Sequence, residues 1–91
     1  MTASTTAFEL YQNRPNPFED KTMISFQLPS ASATNLTIYD VSGKVIYQAQ
    51  YDLDAGYNEI YLTEKELPHS GLLYYQLKTD TATATMKMFK L

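Results

Sequence analysis

Cysteine is absent from the 91 residues, so neither a disulfide nor a thiolate metal site is open to this chain. Packing alone must hold it together. Tryptophan is absent too, which excludes the Cys–Trp–Cys core of an antibody-type domain. Three glycines are too few for a phosphate-cradling loop, and each sits in a turn-like context. Seven Lys and Arg against ten Asp and Glu leave a net charge of −3 with no basic cluster. Phosphate binding needs concentrated positive charge, so nucleic acid is not an expected partner. No apolar run is long enough to span a membrane as a helix. The first residues carry neither the charged nor the apolar region of a signal peptide. An N-terminal export signal, if there is one, is therefore expected in a longer parent.

What is present points to strands. Apolar residues make up 44% of the chain, too many for a disordered tail. A chain of this size folds as one small domain and buries about 60–70% of its unfolded surface. Eight tyrosines and four phenylalanines, with abundant threonine, favour β structure.

Residues 1–7 are small and polar, and read as a linker end or cloning remnant. Residues 8–91 are the domain. Phe8–Gln12 suggests a short first strand. Gln12-Asn13-Arg14-Pro15-Asn16-Pro17-Phe18 then reads as a rigid corner, because two prolines fix φ and remove two donors. Phe18 is expected to plug one end of the core. A recognition loop is the functional alternative there. Thr22–Leu28 alternates, with Ile24, Phe26 and Leu28 on one face and Met23, Ser25 and Gln27 on the other. Pro29 ends it, and residues 30–35 read as a polar loop. Leu36, Ile38 and Asp40 are expected to share a face, opposite Thr37, Tyr39 and Val41.

Asp40–Lys44 reads as a hairpin turn with Gly43 at positive φ. Residues 45–51 return, and 52–56 form a second turn. Gly56–Thr63 alternates Asn58, Ile60 and Leu62 against Tyr57, Glu59 and Tyr61. Thr63–Glu66 fits one capped turn. Leu72–Thr79 and Thr83–Leu91 form a closing hairpin. Tyr74 and Tyr75 point to opposite faces, one inward and one outward. The final strand runs to Leu91 with no tail, and an exposed, unguarded edge is expected there, able to pair with another chain. The sum is an all-β, immunoglobulin-like antiparallel sandwich of about seven short strands.

The search for chemistry yields no catalytic, cofactor or metal set. His69 follows Pro68 in a turn, and adjacency to Ser70 does not make a triad. Asp52-Leu53-Asp54-Ala55-Gly56 resembles only half of a calcium loop and suits a turn better. Glu19 and Asp20, like Glu64, Lys65 and Glu66, read as solvated loop charges. A tyrosine-lined sugar-binding face involving Tyr74 or Tyr75 is the rival reading, that of a carbohydrate- or protein-binding module on a secreted enzyme.

One resemblance goes further. Leu10–Phe18 resembles the L-x-Q-N-x-P-N-P-F opening of type IX secretion C-terminal sorting domains, which end exported proteins of Bacteroidetes-type bacteria. Leu36–Ile46 resembles the family's v-x-l-x-v-y-d-x-x-G-k-x-v hairpin, and Gly56–Ile60 its G-x-n-x-i strand. Leu67–Leu77 resembles l-x-x-G-v-Y-x-y-x-l, with Leu73 where the family usually has tyrosine. Thr85–Leu91 resembles the closing t-x-K-m-v-x-x strand, with Lys87 and Met88 in the matching places. The resemblance implies a non-catalytic secretion signal without cofactor. Its implied partners are an N-terminal cargo domain, the type IX translocon with its outer-membrane shuttle, and a sortase-like peptidase. It also implies transit through the periplasm to the cell surface or exterior. The residues expected to be read are Pro15, Asn16, Pro17, Phe18, Gly43 and Gly71, with the closing Lys87, Met88, Phe89, Lys90 and Leu91.

Overall fold

The computed structural model describes residues 7–91. The linker expected over 1–7 lies outside them, apart from an exposed Ala7. Seven strands form among the described residues: β1 (Glu9–Leu10), β2 (Lys21–Leu28), β3 (Ser32–Tyr39), β4 (Val45–Leu53), β5 (Gly56–Thr63), β6 (Gly71–Lys78) and β7 (Thr83–Lys90). They make two antiparallel sheets, in the orders β1-β2-β5 and β4-β3-β6-β7. The all-β sandwich is therefore present.

Alternation explains why the sheets face each other. Ile24, Phe26 and Leu28 of β2 and Ile60 and Leu62 of β5 point inward from the smaller sheet. Leu36 and Ile38 of β3, Leu73, Tyr75 and Leu77 of β6 and Met88 of β7 meet them from the larger one. Each large apolar side chain so buried stabilises the fold by roughly 1.5–3 kcal/mol. Phe18 is buried with them, as its position after the two prolines suggested. Of the tyrosine pair, Tyr75 is the core residue and Tyr74 lies on the outer face, half-buried.

Several local readings change. The loop expected over 30–35 is cut short, because β3 begins at Ser32 and pairs at once with Leu53 of β4. Backbone pairing makes this polar stretch a strand; its side chains carry no hydrophobic signal. The same ladder carries β4 two residues past the expected end at Tyr51. The turn expected over 52–56 shrinks to Asp54 and Ala55, and it joins two different sheets.

Asp40 does not join the face of Leu36 and Ile38. It closes the β3–β4 turn, accepting from Ser42 N–H at 2.9 Å, Ser42 Oγ–H at 2.6 Å and Lys44 N–H at 3.0 Å. The bond from the Ser42 hydroxyl, then that from Lys44, holds its carboxyl below the usual carboxylate range. Gly43 takes the expected positive φ of 87°.

Polar Ser25 and Thr37, both expected outward, are buried. Thr37 lies on an interior strand, and its hydroxyl accepts from Gln48 Nε2 at 3.2 Å. Ser25 lies where the chain after β1 continues along β2, its carbonyl bonded by Tyr11 N–H at 3.0 Å.

Thr63–Glu66 is a single turn with reciprocal caps. Lys65 N–H donates to Thr63 Oγ1 at 3.2 Å, and Thr63 N–H donates to Glu66 Oε1 at 2.7 Å. The turn delivers fully buried Leu67 to the core.

Candidate functional site

The corner 12–18 and the closing strand form one structural unit. Gln12 Nε2 donates to the Lys87 carbonyl at 2.7 Å. Asn16 Oδ1 accepts from Phe89 N–H at 2.9 Å. Phe18 behaves as a parallel partner of β7. Its N–H donates to the Phe89 carbonyl at 3.0 Å, and its carbonyl accepts from Leu91 N–H at 2.8 Å. The edge expected to be unguarded is therefore covered along Lys87–Leu91. The prolines suit this arrangement, since Pro15 and Pro17 have no N–H to leave unpaired.

Asn13 holds the corner from inside. It is completely buried, and its side-chain amide donates to the Pro15 carbonyl at 3.2 Å and to Thr22 Oγ1 at 3.0 Å. Thr22 Oγ1 in turn donates to the Pro15 carbonyl at 3.0 Å. Gln12 Nε2 supplies Asn13 Oδ1 at 2.7 Å. The backbone N–H of Asn13 donates to the Tyr75 hydroxyl at 2.9 Å, and that hydroxyl donates to the Tyr11 carbonyl at 2.7 Å. Burial pushes the Tyr75 phenol up to about 12, against a lesser lowering by the bond from Asn13. One phenol from β6 thus satisfies two backbone groups of the corner, which a buried polar segment requires.

The expected recognition residues divide by exposure. Pro15, Asn16 and Pro17 are exposed beside exposed Lys87, Phe89 and Leu91. Phe18 and Met88 are in the core. Lys90 is only 4% exposed, with its stem inside and its ammonium 3.8 Å from the carboxylate of Glu64. Gly71 stands opposite Lys90 in register and opens β6 at a φ of 101°. Gly43 is not part of this unit; it sits in the turn leading to the opposite edge strand, β4.

His69 and Ser70 are exposed just before β6, and Ser70 Oγ reaches only the Leu91 carbonyl, at 3.5 Å. Asp52, Asp54 and Asp80 line a shallow depression of about 350 Å³, though no group of acidic or imidazole side chains among the described residues is placed to hold a metal.

Sequence reasoning missed Gln12, Asn13 and the Tyr75 hydroxyl. Gln12 read as the end of a first strand and Asn13 as part of a corner, and only their partners across the fold show what they hold. It also missed Glu59, whose carboxylate accepts from Tyr61 at 2.6 Å and Tyr57 at 2.8 Å on the outer face of the smaller sheet. Those bonds, that of Tyr61 foremost, hold Glu59 below its ordinary range. The signal was available: alternation puts residues 57, 59 and 61 on one side of a strand.

The model of the family described as the secretion system C-terminal sorting domain matches residues 14–90. No curated protein matches the chain.

Proposed function

The chain belongs to the secretion system C-terminal sorting domain family, and from that premise we propose that it is a folded, non-catalytic tag for type IX export. It directs an N-terminal cargo through the periplasm and across the outer membrane. The translocon and its shuttle read the tag, and a sortase-like peptidase then removes it at or before the linker. The cargo ends at the cell surface or outside. The observation that carries this reading is the joining of the two stretches that open and close the family resemblance. The corner and the closing strand support each other, so the tag is intact only when folded.

The surface to be read is the exposed strip of Pro15, Asn16 and Pro17 with Lys87, Phe89 and Leu91. Phe18, Met88 and Lys90 act through the fold, as buried side chains. The backbone of this edge is already bonded to the corner, so a partner reads the exposed side chains of the strip and not an open strand edge.

The test fuses residues 8–91 to a fluorescent reporter that carries an N-terminal export signal, in a type IX-competent bacterium. Reporter at the surface is the expected result. A folded reporter retained in the periplasm would overturn the reading. Phe89→Ser with Leu91→Ser then separates reading from folding. It removes two exposed side chains and keeps every backbone bond of the corner. Retention of a reporter whose tag still melts cooperatively is expected; unimpaired export would exclude this strip as the surface read.

A further inference from the structure

The opposite edge of the larger sheet carries a self-complementary strand. Residues 47–51 of β4 read Tyr-Gln-Ala-Gln-Tyr, the same in both directions about Ala49. β4 is an edge strand of nine residues with β3 as its one partner. It contains no lysine and no proline, the residues that usually blunt such edges. Its one charge is Asp52.

Backbone direction on β4 follows from the ladder. Phe89 turns both its N–H and its carbonyl away from β6, toward the corner. Antiparallel alternation carried through the registers of β7, β6 and β3 then aims Ala49 at β3 and aims Gln48, Gln50 and Asp52 at the open side.

We propose that β4 pairs with β4 of a second copy of this chain, antiparallel about a two-fold axis at Ala49, making one continuous eight-stranded sheet. Ala49 meets Ala49 of the second copy as a non-hydrogen-bonded pair. Each Gln48 exchanges two backbone bonds with Gln50 across the axis. Side chains keep their faces. Tyr47 meets Tyr51 on the inner face, where both are only half-buried in the single copy. Gln48 meets Gln50 on the outer face, where two amides can bond each other. Asp52 comes level with Ile46, the extra residue of the β3–β4 bulge, so no like charges are opposed. Such isologous contacts need the same patch to complement itself, which a palindromic strand does. The contact is one strand wide, well below the area of a standard stable interface, so association is expected only at high concentration.

The test is sedimentation of the full chain up to about 1 mM, a range suited to an interface this small. A concentration-dependent dimer is expected. Gln48→Lys with Gln50→Lys sets lysine against lysine twice and should abolish it. Gln48→Lys with Gln50→Glu sets opposite charges against each other twice and should tighten it at least threefold. Both changes are on the outer face; because Gln48→Lys takes the donor from the Thr37 hydroxyl in both double variants, equal and cooperative melting of the two monomers is the check that the fold is intact. Ala49→Cys, the sole thiol, should give a disulfide-linked dimer under mild oxidant, whereas Thr85→Cys on β7 should not. A chain that stays monomeric throughout, with Ala49→Cys unlinked, would overturn the proposal. So would a dimer that survives the double lysine change.

Discussion

The larger sheet has two edges, and they are finished differently. Along β7 a corner from early in the chain supplies four hydrogen bonds through Gln12, Asn16 and Phe18. Along β4 the described residues supply no such cover. An edge can thus be closed by side chains and backbone brought from far away in sequence, with no further strand. The closed edge joins residues more than seventy positions apart. The open edge has β3 as its one strand partner, and Ile46, Tyr47, Tyr51 and Leu53 anchor it on the core. Closure of this kind makes the corner and β7 one unit, while β4 is held by its ladder with β3 and by packing of its inner side chains on the core.

The largest break in that asymmetry is expected from Phe18→Ala. The Phe18 side chain is buried in the core, so its truncation is expected to cost about 3–5 kcal/mol although the backbone bonds to β7 are kept. Urea unfolding measures it, and a loss under 1.5 kcal/mol would mean the corner is peripheral. Next is Tyr75→Phe. It leaves Asn13 N–H and the Tyr11 carbonyl without their buried partner, at an expected cost of about 1–3 kcal/mol. A pH readout separates this from packing. The folded phenol holds its proton to about 12, against 10.0 when unfolded, so its contribution is present below pH 10.0 and is lost as pH rises toward 12. The phenylalanine variant should show a shallower alkaline decline.

Asn16→Ala is smaller and local. It removes the acceptor for Phe89 N–H at an exposed site, an expected loss of about 0.5–1.5 kcal/mol. Hydrogen exchange should quicken at Phe89 by up to roughly tenfold while β4 amides keep their rates. Equal acceleration in both strands would show that the corner does not act on β7 alone. The smallest effect is expected from Glu59→Gln, on the other sheet. The folded carboxyl titrates below its ordinary 4.5, so its contribution is present above pH 4.5 and is lost as pH falls through the lowered value. The urea midpoint of the glutamine variant should therefore fall less steeply than that of the parent as pH is lowered below 4.5.

Much of the fold was legible locally. β2 and β5 follow from alternation, β6 and β7 from two β-prone runs about a short connection, and the turn at Gly43 from an Asp-Val-Ser-Gly-Lys stretch that suits positive φ. Ser32–Asn35 was not legible, because a polar stretch becomes a strand only when a neighbour accepts its ladder. The candidate site was half legible. The Pro-Asn-Pro corner and the closing hairpin each stood out, but their contact did not. Lys90 looked like a surface lysine, since nothing in the order of residues shows that its stem enters the core.

The sequence by itself determined that this chain is a cysteine-free β domain, with a proline corner and a closing hairpin as its marked features. Those depend on φ restriction, side-chain period and composition, all properties of neighbouring residues. Only the tertiary structure decided that the corner closes one edge of the sheet while β4 stays open. Edge closure is a matter of which groups meet across space, and the hydrogen bond between residues 16 and 89 leaves no trace in the spacing of either stretch.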